Sequence, residues 1–293
     1  MMSYTILTDT SANLPTAFLK ENGIEIIPFS YYIGDKEYSC IDTEGFDGKK
    51  FYKAMRMGAK IKTSQINNFH YVHFFEKFLK RGEGILMINM SSGISGSFHC
   101  AELAAKELKD SYPDREIRLV DALGASLGEG LLVLRAIELR RRGYSLEKAY
   151  QKIEQEKQRM YQVFTVDDLM YLKNTGRVKG SVAIVGNMLQ VKPLLKGNEN
   201  GEIVTFGKVI GRKRAIESLA QKYAQLVKNP EMQTIGIAHA DCEDDANELI
   251  ALINKRKPPK EIMTVMYEPV TGSHVGPGTL ALFFMGGDDV RSG

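Results

Sequence analysis

The chain has 293 residues, 39 basic and 36 acidic side chains, a net charge of +3 and 43% hydrophobic content. That balance argues against intrinsic disorder and against a protein held to nucleic acid mainly by charge. No apolar run reaches the ~20 residues that cross a bilayer, and no basic stretch leads into an apolar one, so neither a membrane span nor a signal peptide is expected.

Cys40, Cys100 and Cys242 are odd in number and far apart, which fits reduced thiols in a cytoplasmic protein rather than a disulfide framework or zinc site. No metal and no cofactor are expected.

Tyr4 to Leu7 reads as a strand that ends in the polar cluster Thr8-Asp9-Thr10-Ser11. Ser11 or Asn13 is placed to cap a helix, with Pro15 in its first turn and Gly23 as its stop. Ile24 to Phe29 reads as a second strand, and Tyr31 to Tyr38 as a hairpin around Gly34-Asp35. Phe51, Tyr52 and Met55 share a helical face. Thr63-Ser64-Gln65 then precedes an aromatic helix, Phe69 to Leu79, stopped at Gly82.

The apolar run from Ile85 to Met90 has the composition of a buried parallel strand. It leads into Ser91-Ser92-Gly93-Ile94-Ser95-Gly96-Ser97 and a helix from about Phe98 to Lys109. A strand at Arg118 to Val120 and a helix from Leu131 to Leu139 follow. Repeated strand–helix units point to a parallel sheet wrapped by helices.

After Gly143-Tyr144-Ser145 a charged helix runs from Leu146 to Met160. Beyond it, Tyr161 to Val166 reads as a strand and Asn198 to Gly201 as a turn within a hairpin. Helices are expected from Arg212 to Val227 and Asp244 to Ile253, with strands at Thr234 to Ala238 and Ile262 to Tyr267. The expected division is an N-terminal α/β domain over 1–155 and a C-terminal α/β domain over 156–293.

The segment Ser91 to Ser97 carries the most chemistry. Hydroxyls and glycines sit between a buried strand and a helix N-terminus, where open α/β sheets bind ligands and unpaired N–H groups favour an anion. An ordinary Ser/Gly loop with a serine cap is the plainer alternative. Thr63-Ser64-Gln65 is a second hydroxyl cluster, either converging on the same anion or capping a helix.

Gly93-Ile94-Ser95-Gly96-Ser97 misses the Gly-x-Ser-x-Gly nucleophile elbow at its last position, so a serine hydrolase using Ser95 and His274 is the rival reading. Phosphate-loop and dinucleotide fingerprints are missing. The cluster of Lys208, Arg212, Lys213 and Arg214 reads as a solvated helix face, with a phosphate-bearing partner or nucleic acid as alternatives. Gly272-Ser273-His274-Val275-Gly276-Pro277-Gly278 reads as a rigid non-regular loop around a titratable side chain.

Together these pieces resemble the DegV family of bacterial fatty-acid-binding proteins. Further matching segments are Val120-Asp121 with Ala125-Ser126, and Phe164-Thr165-Val166 with Leu169, Tyr171-Leu172 and Gly176-Arg177. Lys192-Pro193, Gly211-Arg212-Lys213 and Ala238-His239-Ala240 complete the set. They occur in family order from about residue 4 to residue 285. Ile66 stands where the family often has proline, and Asn174-Thr175 where it often has more glycine.

The resemblance implies a two-domain α/β fold with a long-chain fatty acid such as palmitate or oleate between or beneath the domains, its tail in a buried apolar tunnel. It implies that Thr63 and Ser95 grip the carboxylate, with Ser64, Gly96, Ser97, Gly272 and His274 as secondary head-group candidates. Arg177, Arg212 and His274 become candidates for a side facing a partner or phosphate. The implied partner is a separate ATP-binding fatty acid kinase subunit that makes acyl-phosphate for phospholipid synthesis. The chain alone is then a lipid-binding protein without turnover, a monomer by default, with no nucleic-acid partner and only transient membrane contact.

Overall fold

The computed structural model describes residues 3–179 and 190–292. The chain divides into two units, residues 1–46 with 61–157 and residues 47–60 with 158–293. The short segment 47–60 thus groups with the second unit although its sequence neighbours on both sides lie in the first.

In the first unit, β1 (Tyr4–Asp9) leads to α1 (Thr16–Glu21) and β2 (Glu25–Ile27), then to β3 (Ser30–Ile33) and β4 (Lys36–Ser39). The helix α2 (Gly48–Arg56) belongs to the second unit. The chain returns with β5 (Ile61–Ser64), α3 (Asn68–Leu79), β6 (Gly84–Asn89), α4 (Ser97–Ser111), β7 (Ile117–Asp121), α5 (Leu127–Arg141) and α6 (Leu146–Glu156). The main sheet has the order β2-β1-β6-β7 and every pairing in it is parallel. Its centre is apolar because β6 is buried along its whole length, as a strand covered on both faces must be. Helices α3 and α4 pack together, as do α5 and α6, against this sheet. A second, antiparallel sheet of order β4-β3-β5 carries Thr63 opposite Tyr31.

The second unit adds β8 (Met160–Thr165), α7 (Met170–Asn174), β9 (Val178–Lys179), β10 (Val191–Gly197), β11 (Ile203–Ile210), α8 (Arg212–Leu226), β12 (Thr234–His239), α9 (Glu243–Arg256), β13 (Glu261–Met266), α10 (Pro269–Val275) and β14 (Leu280–Met285). Its seven-stranded mixed sheet runs β13-β12-β14-β8-β10-β11-β9. The expected turn at Asn198 to Gly201 joins β10 and β11, which pair antiparallel. The core gathers on Phe284, whose ring meets Tyr161 and Tyr223 edge-on at 5.6 and 5.2 Å.

Several local expectations are corrected. The helix expected after Ser11 or Asn13 starts only at Thr16, because Asn13 adopts a left-handed conformation that ends a single 3-10 turn over Thr10–Ala12. The charged helix stops at Glu156 and β8 already begins at Met160. The segment from Gly272 to Val275 is helical rather than an irregular loop. Pro269 supplies the pre-set first-turn geometry, and Glu268 accepts both Val270 N and Thr271 N at 2.6 Å as the cap. Gly276 then ends the helix at φ 82. The strand β14, flanked by β12 and β8, had no counterpart in the sequence reading.

Candidate functional site

In the first unit, the C-terminal end of β6 opens into the hydroxyl-rich segment and α4. This segment is held from three directions. Ser91 N donates to Gly124 O at 2.9 Å, and Ser91 Oγ accepts Gly93 N at 3.1 Å. Asp121, at the end of β7, accepts Ser92 N at 3.2 Å and Leu123 N at 3.0 Å, and also bonds the Ser92 hydroxyl. Ile94 N and Ser95 N both turn back to Ser91 O. The loop is therefore pre-shaped by its own bonds and by the neighbouring Asp121 turn.

Ser95 is half-buried and its Oγ accepts Ser97 N at 3.2 Å. Ser97 is fully buried, with Oγ at 2.7 Å from Tyr71 Oη, and Asn89 Nδ2 donates to the same Tyr71 oxygen at 2.8 Å. Ser97 thus ties α4 to α3 and supports the position of Ser95.

Thr63 and Ser64 end β5, both half-buried. Gln65 follows directly, and its Nε2 donates to Cys100 Sγ at 3.5 Å. A β-carbon on Gly96 would stand 2.3 Å from Gln65 Oε1. The two hydroxyl clusters are therefore neighbours, brought together by Gln65 lying over Gly96. Neither Thr63-Ser64-Gln65-Ile66 nor Ser91 to Ser97 contains a cationic residue. What the two clusters present is hydroxyls and the amino end of the 15-residue α4.

Gly272, His274, Arg177 and Arg212 belong to the second unit. Gly272 sits in α10 where a β-carbon would stand 2.0 Å from Tyr52 Oη, so close packing on α2 already requires glycine there. Tyr52 Oη in turn donates to Tyr267 O at 2.7 Å.

His274 and Arg177 are brought together. Burial, and then the Arg177 charge, push the imidazole pKa down to about 4, so the ring is neutral across the physiological range. A hydrolytic base needs a carboxylate to orient it and to stabilise its cation. Among the described residues, the charge that lowers the His274 pKa is instead the Arg177 guanidinium, which weighs against the hydrolase alternative.

Arg212 is engaged by partners of its own. It donates from Nε to Asp245 at 2.9 Å and from Nη2 to Gly278 O at 2.7 Å, and Nη1 is 3.6 Å from Asp167. Lys192 also reaches Asp167, at 2.7 Å. These bonds tie the start of α8 to the start of α9 and to the turn before β14. They are also the contacts of a side chain engaged within the fold, unlike the solvated face expected from sequence.

The sequence analysis does not single out the supporting residues Tyr71 and Asn89, and Asp121 enters it only through the family resemblance. Asn89 does carry a signal, being a polar residue within an otherwise apolar segment. Among the described residues no cluster of three or more His, Cys, Asp or Glu is placed to hold a metal ion. No helix among them is long and apolar enough to cross a membrane.

The family model described as "Uncharacterised protein, DegV family" matches residues 3–286. A DegV domain-containing protein of Clostridium perfringens is 39% identical over 287 residues, covering 98% of each chain. Among solved structures, a DegV family protein from Thermus thermophilus, described by its fatty acid binding, has a TM-score of 0.87 at 28% identity, covering 97% of this chain and 100% of its own. DegV from Bacillus subtilis, described as a fatty acid binding protein, has a TM-score of 0.83 at 28% identity, covering 98% and 100%.

Proposed function

Because the chain belongs to the DegV family, we propose that it binds a long-chain fatty acid, such as palmitate or oleate, and holds the carboxylate between Thr63 and Ser95. The observation that carries this reading is the contact of Gln65 with Gly96 and Cys100, which sets the two hydroxyl clusters side by side. The description of the Thermus and Bacillus proteins as fatty acid binding supports the ligand class.

The physical chemistry fits. A C16 tail buries about fifteen CH2 and CH3 groups at ~0.8 kcal/mol each, roughly 12 kcal/mol in gross terms. Immobilising the ligand takes part of that back. The tail supplies most of the affinity, so the head-group site has to orient more than attract. Ser95 Oγ accepts from Ser97 N and gives its own proton to the carboxylate. Thr63, with Ser64 beside it, donates from the other side, and the Gly96 end of α4 adds partial positive charge.

Orientation without a salt bridge suits a carboxylate that must react. The chain then presents the acid to a separate ATP-binding kinase subunit, which forms the acyl-phosphate used in phospholipid synthesis. In this account Arg177, Arg212 and His274 face the partner or the phosphate, and the neutral His274 hydrogen-bonds rather than shuttles protons. The protein itself has no turnover, works in the cytoplasm, touches membranes only in passing and has no nucleic-acid partner.

Titrating lipid-stripped protein with palmitate and with the alcohol of equal chain length tests the head-group assignment. The acid should bind at least tenfold more tightly than the alcohol. Equal affinity would remove the carboxylate from the account.

A further inference from the structure

Two acidic side chains lie fully buried in the first unit, away from any role given so far. Asp9 ends β1 and Glu129 sits in the first turn of α5, both at 0% exposure. Asp9 Oδ1 accepts Ser11 N at 2.8 Å, and Oδ2 accepts Met90 N at 3.0 Å. Two amide donors on a carboxyl group favour its ionised form.

Glu129 accepts a single amide, Asp9 N. Its Oε1 lies 2.7 Å from Thr8 Oγ1, and its Oε2 is bonded to the Ser11 hydroxyl. Thr8 Oγ1 also lies 3.0 Å from Ile88 O. One hydroxyl proton cannot fully serve a carbonyl and a carboxylate together. A proton on Glu129 resolves the count. Thr8 then donates to Ile88 O and accepts from the Glu129 carboxylic acid, while Ser11 donates to the other Glu129 oxygen.

We propose that Asp9 and Glu129 form a buried carboxyl pair with a single proton, kept on Glu129, in which ionised Asp9 positions the Ser91–Ser97 loop through the Met90 amide. Met90 is the residue at which β6 passes into that loop, so the bond sets where the loop begins. On the reading that Ser95 holds the ligand carboxylate, the pair is a positioning device one step behind the head-group site.

The surroundings agree. Burial raises both carboxyls, Asp9 to about 6, and the Asp9 charge further raises Glu129. No cation figures among the strongest influences on either group. From α3, Tyr71 faces the pair, and burial and then the Asp9 charge oppose ionisation of its phenol. From α4, Cys100 bears on the same phenol. On the far side, Asp9 lines a small, partly open pocket together with Cys40.

The test uses the full chain and the variants Glu129→Gln, Glu129→Ala and Asp9→Asn. Infrared spectroscopy at pH 8 should show a carboxylic-acid carbonyl band in the wild type that Glu129→Gln abolishes. Gln reproduces the donor to Thr8 and the acceptor from Ser11, so the Met90 amide resonance should keep its position in Glu129→Gln. In Asp9→Asn that resonance should shift and palmitate affinity should fall at least tenfold. Absence of the band from the wild type would overturn the proton assignment. A Met90 resonance unmoved by Asp9→Asn would overturn the positioning role. Should Asp9→Asn fail to fold, a Glu129→Gln protein that loses the Met90 resonance as Glu129→Ala does would overturn the proposal. Band and resonance as expected in a protein that binds no fatty acid would uphold the pair and remove the head-group reading instead.

Discussion

Gln65 lies over Gly96, with Oε1 in the space that a β-carbon there would take, at 2.3 Å. Glycine at this point lets the end of β5 approach the start of α4, and that approach brings Thr63 toward Ser95. Gly96→Ala forces the Gln65 side chain aside. Since the displaced atoms end a flexible side chain, the unfolding midpoint should change by less than about 1 kcal/mol, while palmitate affinity falls several-fold. An affinity equal to the wild type would show that the approach is incidental.

Removing both hydroxyls should weaken head-group capture without emptying the protein. A hydrogen bond to a charged group contributes about 1.5–3 kcal/mol, so Thr63→Ala and Ser95→Ala should each cost roughly ten- to hundredfold in affinity for the acid. The double variant should bind palmitate no better than it binds the alcohol of equal length. Calorimetry on both ligands reads this directly. A double variant that still prefers the acid as the wild type does would reject these two residues.

His274 is held neutral by burial and by Arg177, with its pKa near 4. On the proposed kinase reading, protonation of His274 therefore contributes little to the pH profile of phosphoryl transfer between pH 5 and 8. His274→Ala should leave lipid occupancy intact and, on that same reading, reduce acyl-phosphate formation by the proposed kinase subunit. Equal loss of both would assign the ring a purely structural role.

The carboxyl pair makes folding stability depend on pH with a defined sign. Asp9 is raised from 3.8 to about 6 in the folded protein, and Glu129 is raised as well. A folded state that binds protons more tightly than the unfolded chain loses stability as pH rises. The loss begins near pH 4 and continues through about pH 6 for Asp9 and beyond for Glu129, at up to about 1.4 kcal/mol per pH unit for each proton of difference. Glu129→Gln removes its share, so the variant should be more stable than the wild type at pH 8 and its stability should decline less steeply. Denaturant midpoints at pH 5, 6.5 and 8 measure this, and parallel declines in the two proteins would contradict it.

Gly276 closes α10 at φ 82, and a β-carbon there would stand 2.4 Å from the Tyr171 ring. Backbone strain and overlap act together, so Gly276→Ala should destabilise the protein by about 2 kcal/mol or more. A midpoint within error of the wild type would show that α7 yields more readily than its packing implies.

The elements legible in the sequence were those with strong local signals. The continuous apolar run of Ile85 to Met90 marked the buried strand, and Asn198 to Gly201 marked the hairpin turn. What escaped depended on distant partners. The helical state of Gly272 to Val275 is set by Glu268 capping ahead of Pro269, a signal hidden by three glycines and a proline downstream. The grouping of 47–60 with the second unit leaves no compositional trace, because an amphipathic helix reads the same whichever core it faces. Within the site, the hydroxyl clusters could be seen individually, whereas the Gln65 contact and the Asp9–Met90 bond span 35 and 81 residues of sequence.

The most direct test of the central claim is the content of the protein as purified without added lipid. Denaturation in organic solvent followed by mass spectrometry of the extract should release long-chain fatty acid in near-stoichiometric amount. A protein that releases none, and that also fails to take up palmitate or oleate when offered, would contradict the fatty-acid reading.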